Sequence, residues 1–160
     1  MATPFLKVYD AFLARITADE WTLEEELAIV ERDWQELLKM AVERFKYPRI
    51  SLEMEELEQS DSSNPITVMQ FKEELTNAEI QMLALYMKHE WVKRCIASWE
   101  NIRQLYVDSD YSQANHLDKL NKLETSVALE VHKAEGRYDR SRNHSPAAVF
   151  KRLAGKRQHI

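Results

Sequence analysis

A chain of 160 residues, 44% hydrophobic and 31% charged, has the balance of one soluble globular domain with a real core. It holds two glycines where an average usage of about 7% gives roughly eleven, which argues for helices and against Rossmann or P-loop phosphate sites. The net charge of −5 is split: from Lys133 onward eight Lys and Arg face two Asp and Glu (+6), leaving 14 basic against 25 acidic residues (−11) elsewhere. Such a polarised molecule favours partners or neighbouring copies that complement each end.

The opening stretch, MATPFLKVYDAFLARIT, lacks a basic n-region and an uninterrupted apolar core, so it does not read as a signal peptide. Thr3-Pro4 predicts a helix start, with Thr as N-cap and Pro at the first helical position, where its missing N–H costs nothing. Phe5, Val8, Phe12 and Ile16 follow at helical steps, and the helix is expected to end near Thr17. Thr22 and Glu25 then form a capping box, with Glu24 to Glu26 where the helix dipole favours negative charge. Leu27, Val30, Trp34, Leu37, Leu38, Ala41 and Phe45 make the stripe of this second helix, and Pro48 stops it.

Residues 46–75 are the irregular part of the chain. Ile50, Leu52 and Met54 alternate, as do Ile66 and Val68, across the polar stretch Glu55–Pro65. The pattern fits a two-stranded hairpin with a long loop, or an excursion that covers the helices. Thr76 and Glu79 make a second capping box, after which no Gly or Pro intervenes up to Tyr106. Ile80, Leu83, Ala84, Met87, Trp91, Ile96, Trp99 and Ile102 recur at helical spacing. They predict one helix of about 30 residues, roughly 45 Å long against a usual ~11–12 residues. Cys95, the single cysteine, reads as a small residue of this helix in a thiol-tolerant, cytoplasmic setting. No run approaches the ~18 apolar residues of a membrane span.

DSDYS at 108–112 predicts a turn with Ser112 as N-cap of the next helix. That helix carries Leu117, Leu120, Leu123, Val127, Val131, Ala134 and Tyr138 on one face. Ser145-Pro146 repeats the cap-plus-proline start for a short helix, Ala147 to Ala154, ended by Gly155. The sequence has no internal repeat.

Little in the chain points to catalysis or to a bound cofactor. His89-Glu90 would need a second His four residues on to be a helix-borne zinc motif, and position 93 is Lys. His116, His132, His144 and His159 are scattered without ligand spacing. DSDYS starts like a calcium loop, but the required Gly and Glu positions hold Gln113 and Lys119. No nucleophile sits on a glycine-rich elbow. The expectation is therefore no enzyme, no metal and no cofactor. The basic tail admits two readings: a docking arm for an acidic groove of another protein, or a phosphate-binding end. Only Tyr138 and Phe150 interleave as aromatics, so stacking on single strands has thin support, and docking is favoured. Trp91 and Trp99, eight residues apart, share a helix face, with Trp34 on the second helix; core or an interface between copies accounts for them.

The stretch from Leu75 to Leu123, with its entry at Phe71, resembles small helical neck proteins of tailed bacteriophages, the head–tail connectors or adaptors encoded near the portal gene. The entry is Phe71, Leu75, Thr76, Glu79 and Ile80, followed by Leu83, Ala84, Met87 and Trp91. A turn at Asp110, Tyr111 and Ser112 leads to Ala114, Asn115, Leu117 and Leu120. These are packing and capping residues, covering about half the chain.

The resemblance implies a structural virion protein of the neck, made in the host bacterial cytoplasm. Its copies would form a ring, commonly of twelve, beneath the portal. The ring would extend the DNA channel, through which the genome passes without specific binding, and would carry a stopper, tail terminator or tail tube protein. An acidic channel wall would let the genome slide. Such proteins commonly dock their C-terminal segment on the portal, which points to Arg140, Arg142, Phe150, Lys151, Arg152, Lys156 and Arg157. Trp34, Met87, Trp91, Trp99, Leu117 and Leu120 are assigned to the core or to packing between subunits.

The expected architecture is all-α: a bundle of about four main helices, one very long, within residues 1–140. The excursion at 46–75 and a basic arm at 141–160 with its short helix complete it. The alternative function is a small helical nucleic-acid-binding or regulatory protein that uses the basic tail. A third is a scaffolding or chaperone-like protein absent from the finished particle.

Overall fold

A computed structural model describes residues 2–16, 27–61, 64–105 and 111–143. The described chain is mostly helical, with four helices and a small three-stranded antiparallel sheet. Helix α1 spans Phe5–Leu13, α2 Leu27–Arg44, α3 Asn77–Leu105 and α4 Tyr111–Asn143. Strand β1 is Thr3–Pro4, β2 is Met54–Asp61 and β3 is Asn64–Phe71, in the order β1-β3-β2.

The sheet corrects the all-α expectation in two places. Thr3 and Pro4 do not open the helix; they pair as β1 with Phe71 and Gln70. Pro4 then serves as N-cap of α1 in extended geometry, φ −66° and ψ 145°, and the first helical residue is Phe5. The Thr3 hydroxyl is used elsewhere, accepting a bond from the Leu75 N–H at 2.8 Å. A tertiary partner thus outcompetes the local cap. Helix α1 also closes early, at Leu13, with Ala14 as C-cap.

In the excursion, the strands pair from Met54↔Phe71 to Asp61↔Asn64, so only residues 62 and 63 separate them. The polar stretch read as a long loop is strand β2 itself. Its residues MEELEQSD show no apolar alternation, and the pairing is dictated by the β-prone Ile66-Thr67-Val68 of β3. Strand β1 reaches only Gln70 and Phe71, so among the described residues no strand pairs with the other side of β3 near Pro65 and a missing donor is tolerated.

Helix α3 is the centre of the molecule, with α1, α2 and α4 packed around it. The six consecutive residues Met82 to Met87 are all buried, as a helix enclosed on every side requires. They share one buried cluster with Phe5, Val8 and Phe12 of α1, Leu37, Leu38 and Ala41 of α2, and Val127 and Val131 of α4. Rings lock the contacts: Phe5 meets Phe71 at 4.9 Å, and Phe45 stands edge-on to Tyr86 at 5.7 Å and to Tyr138 at 5.2 Å. From Lys93 to Ser98 each residue of α3 is exposed or half-buried.

Candidate functional site

The polar groups drawn into this core tie α4 to the rest of the body. Thr76 and Glu79 open α3, and the Ile80 N–H donates to the Thr76 carbonyl at 3.1 Å, the first bond of the helix. Glu79 is fully buried. Its carboxylate accepts from the Thr76 hydroxyl on one oxygen and from the Tyr138 hydroxyl, at 2.7 Å, on the other. The positive end of the α3 dipole adds to these two donors in compensating the buried charge.

Tyr138 in turn accepts from the Arg49 N–H at 2.9 Å. The Arg49 guanidinium lies 4.5 Å from the centre of the Tyr138 ring and donates to the Tyr138 carbonyl and to the Ser141 hydroxyl. The segment after α2 therefore clamps the C-terminal end of α4. Burial, and then the bond to Glu79, push the Tyr138 phenol up to about 12.

Two further ties repeat the scheme higher on the bundle. Tyr86 donates to Glu135 at 2.9 Å, beneath the Arg44 guanidinium at 4.9 Å from its ring centre; burial, and then Glu135, raise its phenol above the ordinary range. His89, buried, joins three helices: Nδ1 lies 2.7 Å from Arg44 of α2 and Nε2 lies 2.8 Å from Glu124 of α4. Arginine can only donate, so Nδ1 accepts and Nε2 carries the proton offered to Glu124. Arg44 also pairs with Glu90 at 3.2 Å. Near the other end of α1, Arg15 donates to Glu130 at 3.1 Å and to Gln81 at 2.8 Å.

The surface of α4 away from α3 differs in kind. His132, Lys133, Arg137 and Arg140 are exposed and, with Gly136, line a shallow depression of about 320 Å³. Leu129, one turn earlier, is 53% exposed. A second, larger groove of about 400 Å³ lies between the end of α1, the start of α3 and α4; Arg15, Gln81, Glu130 and Arg137 contribute its polar lining, Met82 and Leu85 its apolar one.

The residues singled out from the sequence distribute as follows. Met87 and Leu120 are buried, Leu117 is half-buried, and Trp34 and Trp91 are half-buried against Tyr9 and Phe12 at 5.5 and 6.4 Å. Arg140 is exposed on α4, and Arg142 is on the last turn of the same helix, which runs unbroken across the boundary drawn at 140. The side chains of Trp99 and Arg142 lie outside the described residues. So do Phe150, Lys151, Arg152, Lys156, Arg157, the short helix at 147–154 and the Thr22 capping box. Cys95 is half-buried, and burial pushes its thiol up to about 11.

Sequence reasoning singled out Glu79, His89 and Tyr138 but not Arg44, Arg49, Tyr86, Glu124 or Glu135, and none of the pairings. Glu79 shares a helical face with Leu83, and a carboxylate on an apolar face must find donors. Tyr138 lies on the α4 stripe, and a buried phenol also seeks a partner. That each satisfies the other across 59 positions is a tertiary fact. Among the described residues no group of three His, Cys, Asp or Glu is placed to hold a metal ion, and no helix is long and apolar enough to cross a membrane. No family model, no curated protein and no solved structure matches the chain.

Proposed function

We propose that this chain is a structural assembly protein of a bacteriophage neck: an adaptor that forms a ring on the portal, extends its channel and offers a surface for tail attachment. One observation carries the reading. Within the stretch that resembles the adaptors, Phe71, Leu75, Glu79, Leu83, Ala84, Met87 and Leu120 are all buried. Ile80, Trp91 and Leu117 are half-buried and Thr76 is exposed, so most of the described residues of the resemblance are packing residues, which supports a role in which shape is the function. The buried polar groups Glu79, His89, Tyr86 and Tyr138 are likewise engaged in ties between elements. The mechanism is interface geometry, with an acidic body and a basic end providing complementary surfaces, and no substrate is turned over.

The test is portal capture. Full-length chain co-purifies with the portal protein of the same genome, and a chain ending after Asn143 folds but is no longer captured. Cutting there rather than after Arg140 keeps the Arg49–Ser141 clamp intact. Normal capture of the shortened chain would remove the docking arm from the account. The second reading, a nucleic-acid-binding or regulatory protein, is favoured by the cations of α4 and predicts DNA binding at low salt without portal capture.

A further inference from the structure

Two surfaces of this molecule are oppositely charged. The first is the β2–β3 hairpin, Met54–Phe71, with Glu55, Glu56, Glu58 and Asp61 and no Lys or Arg. All four acids are on β2, the outer strand of the sheet. Its main described neighbour is β3, so its other edge presents backbone donors and acceptors with no strand to pair them. The Glu56 and Leu57 side chains are exposed, Leu57 by 44%. The second surface is the outer face of α4, with His132, Lys133, Arg137 and Arg140 around Gly136 and Leu129 exposed beside them.

Gly136 is the informative residue there. It lies in the interior of a helix, where glycine costs about 0.5–1 kcal/mol relative to alanine. A Cβ built on it meets nothing within 4 Å among the described residues, so packing there does not require its absence. What the missing side chain provides is a place where an outside segment can approach the helix backbone between cations.

We infer that the acidic β2 edge of one copy docks against the Lys133–Arg140 face of α4 on the next copy. Spacing supports the fit. Glu56 and Glu58, two strand residues apart, are separated by about 6.8 Å at ~3.4 Å per residue. Lys133 and Arg137, four helix residues apart, are separated by about 6 Å at 1.5 Å per residue. Leu129 gives the α4 face one exposed apolar side chain beside its cations, which matters because exposed ion pairs alone add little. Both surfaces are on every copy, and within one molecule β2 packs on β3 while α4 packs on α3. Two different patches that complement each other make a head-to-tail contact, which closes as a ring or runs on as a filament. The inference rests on the ring reading above and supplies the contact that the ring would use.

Charge exchange tests it on the full chain co-expressed with the portal, scored by sedimentation and electron microscopy. The β2 variant is Glu56→Lys with Glu58→Lys, and the α4 variant is Lys133→Glu with Arg137→Glu. Each alone should weaken assembly at least about tenfold, because like charges are brought face to face. The four changes together should restore it to near wild type, and circular dichroism and Tm should show every variant folded. A wild-type ring with both single-surface variants still assembling overturns the inference and leaves the ring reading standing. Loss in the α4 variant without rescue, accompanied by lost DNA binding, also overturns it and assigns the face to a polyanion. Absence of any wild-type ring, with or without portal, defeats the ring reading itself and the inference with it.

Discussion

Helices α3 and α4 are both long, 29 and 33 residues, yet they occupy opposite situations. Helix α3 is surrounded by three other helices, and from Met82 to Met87 every side chain is buried. Helix α4 buries one stripe, Leu120, Val127, Val131 and Tyr138, and turns charges outward on the rest. The first is a core element whose sequence is constrained on all sides. The second is a boundary, packed on one side and exposed on the other. The buried ties Glu79–Tyr138, Tyr86–Glu135 and His89–Glu124 fix how the boundary helix sits on the core helix. The proposed assembly role needs that rigidity if the outer face is to present charges at fixed spacing.

The sharpest way to break the contrast is to truncate one leucine on each helix. Leu83→Ala, at the enclosed centre of α3, should cost about 2–5 kcal/mol in denaturant unfolding. Leu129→Ala, on the outer face of α4, should stay within about 0.5 kcal/mol of wild type. Similar losses at both sites would mean that α4 is not a boundary.

The seam between the helices is tested next. Tyr138→Phe keeps the ring and removes the donor to Glu79, leaving a buried carboxylate oxygen short of one bond, and should cost about 1–3 kcal/mol. The same phenol gives a pH signature. Its folded value is raised from 10.0 to about 12, so the folded state holds its proton more tightly than the unfolded chain. The stabilisation is complete below pH 10 and is lost as pH rises toward 12. Chemical denaturation across that window should show falling stability. Tyr138→Phe should flatten part of the fall, with the raised phenol of Tyr86 supplying the remainder.

The smallest effect has the opposite sign. Gly136→Ala should stabilise the monomer by about 0.5–1 kcal/mol, because the new Cβ has open space and the unfolded chain loses freedom. A thermal melt checks it, and destabilisation would show that α4 is not exposed at this point.

The mostly helical character could be read from the sequence because the signals for helices are local. The capping pair Thr76–Glu79, the lack of Gly and Pro and the α4 stripe all act within a few turns. The enclosed character of α3 was less visible: a stripe was expected where MLALYM is buried throughout, and that uninterrupted apolar run was the available signal. The hairpin and β1 were harder. Strand β2 has almost no apolar pattern, and Thr3-Pro4 carries a strong local helix-start signal overridden by pairing with residues about 67 positions away. The site shows the same division. Arg140 and its neighbouring cations follow from the charge count, whereas Arg49 over Tyr138 and Arg44 against His89 depend on which segments meet in space.

The most direct measurement is electron microscopy of this chain co-expressed with the portal protein of the same genome. The account predicts a ring of density added to the narrow end of the portal, from which the copy number can be counted. A portal without added density, with the chain monomeric and shifting DNA at low salt, would contradict it.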